Sequence, residues 1–236
     1  MDDSLNGIMR IMNSAAQLSK RGGGVAVNLT NLRAKDDPIK RIEHQGSGII
    51  PVMKILEDTA MWVNQLGQRQ GAFAVYLNVL HRDILDCLDT KRENADEKVR
   101  IKSLSLGVVI PDIVFELARK GEGMYTFSPY DIAQEYGKEM AWLNMSKIYR
   151  EAVANPRIRK TPINPRELLS TIADIQMESG YPYILFEDAA SHANLVPGKI
   201  NMSNLCSEVL EPQTPSTVND EQEYTQLGKD ISCNLG

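Results

Sequence analysis

Leu104-Ser105-Leu106-Gly107-Val108-Val109-Ile110-Pro111-Asp112 is the stretch on which the fold turns. Leu104 to Ile110 is a short, nearly continuous apolar run, the mark of a strand covered on both faces. Pro111 cannot continue a ladder, and it opens a helical pattern through Lys120. Working outward, Phe73 to Leu77 reads as a second buried strand, Val25 to Leu29 as a short one, and Tyr183 to Glu187 as another. Between them lie helical stripes. Leu5, Ile8, Met9, Met12, Ala15 and Ala16 follow an N-cap at Asp3 or Ser4 and stop at Gly22-Gly23-Gly24. Val52 to Leu66 follows Pro51, Ser128-Pro129 caps another helix, and Asn164-Pro165-Arg166-Glu167 opens one that runs to Gly180. Strands alternating with helices predict an α/β architecture with largely parallel strands. Thr30 to Gly48 reads as a polar loop, and Glu211 to Lys229 as a linker or mobile surface excursion.

The 236 residues carry a net charge of −5, which excludes a general polyanion binder and so predicts no nucleic-acid partner. No apolar run spans a bilayer, and three cysteines do not make a secreted disulfide framework. A reducing cytoplasm is the expected compartment, with no membrane partner. His44, His81 and His192 lack metal-ligand spacing, so no metal site is expected. Both ends look cut, and the chain is read as an internal piece of a longer protein.

The sharpest candidate for chemistry is Asn204-Leu205-Cys206-Ser207-Glu208, with Cys233 further on. If the segment is extended, the amide, thiol and carboxylate at alternating positions face one small volume. The bland reading of Cys206 is a small buried hydrophobe, which on composition alone is the commoner fate. Cys87, in a helical stretch from Asp83 to Leu88, is read as core. Three glycines between a helix and a strand ordinarily mark a turn, although they also let backbone N–H groups approach a ligand. The charge run Asp89 to Lys98 is read as a solvated face.

Several blocks carry a resemblance: Ser19-Lys20-Arg21-Gly22-Gly23-Gly24-Val25, Asn64 to Gly67 with Arg69 to Ala72, Asp89 to Lys98, Leu104 to Asp112, Ser179 to Ile184, Ser203 to Glu208 and Gly228 to Gly236. Together they resemble the large (α) subunit of class I ribonucleotide reductase, most of all its class Ib branch, from end to end of the chain. The resemblance implies an α/β fold, part of a ten-stranded α/β barrel built from two half-barrels with the radical cysteine on a central loop. Residues 1–236 would be the central part of that barrel domain, with a specificity-effector region over about 1–80 and the cysteine loop over about 200–210.

By this resemblance Cys206 is the thiyl radical, Glu208 accepts the 3′-hydroxyl proton, and Asn204 holds the sugar and shares hydrogen bonds with Glu208. A radical thiol is expected to be sheltered. Cys233 matches one half of a redox pair whose partner lies upstream of Met1. Substrate contacts fall on Gly23 or Gly24 and on Asn204, Leu205, Cys206, Ser207 and Glu208. Asp3, Arg33 and Lys40 match contacts to a deoxynucleoside triphosphate or ATP effector, and Gln65 and Arg69 match the loop that reads it. Implied partners are a ribonucleoside diphosphate, a second large subunit, a small subunit whose metal cofactor generates the radical, and a thioredoxin- or glutaredoxin-like reductant. The rivals are a cobalamin-dependent class II reductase and a non-catalytic nucleotide-binding module.

Overall fold

The computed structural model describes residues 1–63, 67 and 70–232. Its centre is a parallel sheet of β1 (Val25–Asn28), β2 (Phe73–Asn78), β3 (Ser105–Ile110) and β6 (Tyr183–Phe186), in the order β1-β2-β3-β6. Register places Tyr76 beside Asn28 and Gly107, and Gly107 beside Tyr183. Parallel strands need cover on both faces, and here the two covers differ in kind.

The outer face turns Val27, Phe73, Val75, Leu77, Leu106 and Val108 into the main core. Helices α1 (Leu5–Lys20), α2 (Ile50–Trp62), α3 (Ile84–Asp89), α4 (Asp112–Lys120) and α7 (Pro165–Ser179) contribute Met12, Met53, Cys87, Leu117 and Ile172 to that core. Their starts follow the sequence. The Ser4 hydroxyl accepts from Gly7 N–H at 3.0 Å, and Asn164 accepts from Arg166 N–H at 3.0 Å. Glu167 bonds the Asn164 side-chain amide rather than closing a capping box on the backbone.

Three features depart from the expected pattern. Strand β4 (Met124–Phe127) pairs antiparallel with β5 (Lys160–Ile163), flanked by α5 (Pro129–Tyr136), a 3-10 turn (Met140–Trp142) and α6 (Met145–Ala154). Glu187 ends no strand but begins α8 (Glu187–Ala193). The polar stretch near the C-terminus is neither a linker nor a free excursion. It forms a small antiparallel pair, β7 (Thr217–Val218) and β8 (Tyr224–Gln226), docked on α1 through Asn6 to the Asp220 carbonyl and Arg10 over the Tyr224 ring. Among the described residues the parallel strands make a four-stranded sheet, not a closed barrel, and no helix is long and apolar enough to cross a membrane.

Residues 29–49 are irregular, as expected, but not solvated throughout: Leu32, Ala34 and Asp37 are buried. Asp37 accepts from Ala34 N–H, from the Ser128 hydroxyl at 2.7 Å and from Arg82 at 3.0 Å. Burial pushes its carboxyl up, and these partners pull it back. His81 is buried with its Nδ1 accepting from Asp83 N–H, so Nε2 carries the proton and donates to the Leu32 carbonyl at 2.9 Å. The loop is thus held by these polar groups as well as by packing of Leu29, Leu32 and Ile49 into the core.

Glu57 on α2 ties down the approach to β3, accepting from Lys102 N–H at 2.6 Å and Ser103 N–H at 2.8 Å. Burial raises its carboxyl, but these bonds outweigh it and hold the group below its ordinary value. A carboxyl depressed in the folded state stabilises above its unfolded value, and that contribution disappears as pH falls through the folded one. Glu57→Gln is therefore expected to cost about 1–2 kcal/mol at neutral pH in denaturant unfolding. The gap to the unsubstituted protein should close on acidification.

Candidate functional site

The inner face of the sheet carries Ala26, Asn28, Ala74, Tyr76, Asn78, Ser105, Gly107, Val109, Tyr183 and Leu185, much of it small or polar. Residues 199–205 lie along it, antiparallel to the strands. Lys199 sits at the C-terminal end of β6, with its ammonium 2.7 Å from the buried Glu187 carboxylate, and it also donates to the Leu143 carbonyl. Asn78 at the end of β2 reaches the same carboxylate. Two residues on, the Asn28 amide donates to the Asn201 carbonyl at 2.6 Å. Ile200 and Met202 pack into a second apolar cluster with Ala74, Tyr76, Val109 and Leu185. The Tyr76 hydroxyl then donates to the Asn204 carbonyl at 2.8 Å. Leu205 closes the run against Gly24, where a Cβ would collide with the Leu205 side chain.

At this point the chain turns. Ser207 N–H bonds back to the Asn204 carbonyl at 3.2 Å, and Ser207 takes a left-handed φ of 67°. The Asn204 side-chain oxygen accepts from Glu208 N–H at 3.1 Å and Val209 N–H at 3.0 Å, and also from the Ser203 hydroxyl. The expectation of an extended Asn204-to-Glu208 segment is thereby corrected. An asparagine can satisfy backbone donors four and five residues on, and this closes a turn in place of a strand. Asn204 meets Glu208 through the backbone rather than through the two side chains. Cys206 stands exposed at the crest of the turn, so the expected shelter is not supplied by the described residues. Glu208 is exposed beside it.

The other candidates fare unevenly. Gly22 and Gly23 direct their N–H groups to the Ser19 and Leu18 carbonyls, capping α1 instead of pointing at a ligand. Gly24 remains at the turn through Leu205. Asp3 and Arg33 come together, with the Asp3 carboxylate accepting from Arg33 Nε at 2.8 Å and from its backbone N–H at 3.0 Å. The Arg33 guanidinium also donates to the Pro38 carbonyl and lies over the Tyr130 ring. Burial raises the Asp3 carboxyl, and Arg33 opposes the shift. Lys40 is exposed in a tight turn with φ 49°. Gln65, Arg69 and Cys233 lie outside the described residues. Cys87 is core: its thiol is fully buried 3.8 Å from the Met53 sulfur, and burial drives its pKa far up. An open groove of about 880 Å³ between Gly121–Tyr125 and Pro162–Arg166 is lined by none of the cysteine-turn residues.

Tyr76 and Lys199 are the participants that the sequence reading overlooked. A hydroxyl inside a fully buried run needs a partner, and that need was the available signal for Tyr76.

Compared with known proteins, a family model described as "Ribonucleotide reductase, barrel domain" matches residues 1–236. This chain belongs to the ribonucleotide reductase barrel-domain family. It is 55% identical over 236 residues to a ribonucleoside-diphosphate reductase subunit alpha of Mycoplasma pneumoniae, covering 100% of this chain and 33% of that protein. A Bacillus subtilis subunit alpha is 50% identical over 238 residues, 100% of this chain and 34% of the relative. A Synechocystis subunit alpha is 34% identical over 91% of this chain and 29% of its own length. The chain thus spans about a third of the length of the first two reductase subunits.

Two outcomes are expected of this ribonucleotide reductase domain. Iodoacetamide should label Cys206 readily and leave Cys87 unmodified until the protein unfolds, as read by peptide mass spectrometry. Asn204→Ala removes the acceptor for two amides. Exchange of the Glu208 and Val209 N–H groups should then quicken by about tenfold or more in hydrogen-exchange mass spectrometry.

Proposed function

We propose that this chain is the central, catalytic and specificity part of a class I ribonucleoside-diphosphate reductase large subunit. The reaction would convert ribonucleoside diphosphates to 2′-deoxyribonucleoside diphosphates for DNA precursor synthesis. The observation that carries this reading is the match to reductase alpha subunits along the whole chain, together with a thiol held out on an ordered turn next to a carboxylate.

The chemistry explains the residue set. Hydroxide is a poor leaving group on an unactivated ribose carbon, so direct displacement of the 2′-hydroxyl is slow. Taking the 3′-hydrogen atom onto sulfur leaves a carbon radical next door, and the 2′-hydroxyl, given a proton by one of the reducing thiols, then departs as water. S–H and hydroxyl-bearing C–H bonds have comparable strength, so a Cys206 thiyl makes that transfer nearly balanced and reversible. Glu208 would take the 3′-hydroxyl proton in the same step. The Asn204 side-chain oxygen is committed to the Glu208 and Val209 amides, so its part is to fix the turn while its NH₂ faces the sugar. Cys233 and a second thiol would supply two electrons and two protons, one proton to the departing water and one hydrogen to C2′, and become a disulfide that a thioredoxin- or glutaredoxin-like protein reduces, while Glu208 returns its proton to the 3′-oxygen and Cys206 its hydrogen to C3′. Such thiols suit a reducing cytoplasm. The radical would come from the metal cofactor of a separate small subunit.

Arg33 and Asp3 are proposed to contact a dNTP or ATP effector, with Lys40 adding charge at its phosphates and Gln65 and Arg69 passing its identity to the substrate. Leu5 and Leu18 on α1 and Met61 and Trp62 on α2 are exposed, which favours burial against a second large subunit. The piece alone is proposed to be inactive.

Cys206→Ser in the full-length protein, assayed with its small subunit, should lower deoxyribonucleotide formation by at least about a thousandfold. Effector binding should be unchanged. Retained turnover would defeat the radical assignment, and activity that required cobalamin without a small subunit would move the protein to class II.

A further inference from the structure

The sheet holds the cysteine turn through one side-chain hydroxyl that no assigned role explains. Tyr76 is fully buried in the middle of β2, between Asn28 and Gly107 in register. Its ring fits because Gly107 has no side chain: a Cβ there would come within 2.5 Å of Tyr76 Cδ1. A glycine inside a strand often marks a close approach of this kind. The ring therefore lies along the sheet surface, and its hydroxyl emerges beneath the turn. There it donates to the Asn204 carbonyl at 2.8 Å. That same carbonyl accepts the closing bond of the turn from Ser207 N–H at 3.2 Å. One oxygen thus receives both the bond that makes the turn and the bond that fixes its height above the sheet.

The surroundings suit a permanent donor. Ser203 and Ser207 flank the hydroxyl, and the negative charge of Glu208 lies nearby. Burial raises the phenol above its ordinary value, so it stays protonated across the working pH range. Packing alone would be served by phenylalanine. The added oxygen is useful only for what it holds.

We propose that Tyr76 is the positioning residue of the cysteine turn, its hydroxyl setting where Asn204, Cys206 and Glu208 stand relative to the sheet. This rests on the reductase reading for its catalytic consequence, though not for the geometry itself. Hydrogen-atom transfer tolerates little displacement, and an error of the order of 1 Å can cost about a hundredfold in rate.

The test is Tyr76→Phe in the full-length protein with its small subunit, with two readouts. First, kcat for ribonucleoside diphosphate reduction should fall about tenfold while KM stays within about twofold, because the loss falls on alignment and not on binding. Second, the rate of Cys206 alkylation by iodoacetamide should change at least about threefold as the turn loosens. Incorporating 4-aminophenylalanine at position 76 restores a donor at the same point and should return the alkylation rate to within about twofold of Tyr76. This arm also separates loss of the donor from general disturbance of the core. An alkylation rate unchanged in Tyr76→Phe, or changed but not restored by the amino analogue, overturns the inference whatever the activity does. A kcat within twofold of the unsubstituted enzyme overturns its catalytic part. If the unsubstituted full-length protein reduces no ribonucleotide, the reductase reading fails on its own, and the alkylation comparison still decides whether Tyr76 positions the turn.

Discussion

A parallel sheet must be covered twice, and this one is covered by two different materials. Helices fill the outer face in the ordinary way, side chain against side chain. On the inner face residues 199–205 do much of the covering, with the Ile200 and Met202 side chains packed on Ala74, Tyr76, Val109 and Leu185 and the backbone between them close to the sheet. Ala26, Ala74 and Gly107 provide the clearance, while Asn28 and Tyr76 supply donors for the carbonyls that the segment brings with it. A buried backbone oxygen without a partner is costly, and Asn28 meets that need for the Asn201 carbonyl, while Tyr76 adds a second donor to the Asn204 carbonyl that Ser207 N–H also reaches. The cysteine turn is where this segment leaves the sheet.

The same logic of polar pinning governs the loop from Leu29 to Ile49. Asp37, His81 and Asp83 hold it by hydrogen bonds to its backbone and to Arg82 and Ser128. Arg33 projects from this anchored loop onto Asp3, so the proposed effector residues are already partnered with each other. A phosphate arriving there competes with a carboxylate for the guanidinium. Its affinity is then the difference between two ion pairs, not the strength of one.

Much of the fold was legible because burial leaves long apolar signatures. Val25–Asn28, Phe73–Asn78, Ser105–Ile110 and Tyr183–Phe186 all stand within a residue or so of where periodicity placed them. The β4–β5 pair escaped notice since Lys160–Ile163 is four residues long and contains Pro162, which argues against a strand interior. The cysteine segment forms a turn where its alternation pointed to an extended run. Alternation is evidence for side-chain direction only in a strand, and Asn204 is a residue that builds its own turn. Gly107 did signal a close approach, but a strand glycine does not say which ring fills its place.

The thiol and the sheet beneath it come from distant parts of the chain. Asn28 and Asn201 are 173 positions apart, and Tyr76 and Asn204 are 128 apart. Contacts of such separation close long loops, and the surface they dock on exists only where β1, β2, β3 and β6 are aligned. The direction in which the Cys206 thiol stands is therefore a property of the whole sheet and not of its own neighbourhood in sequence.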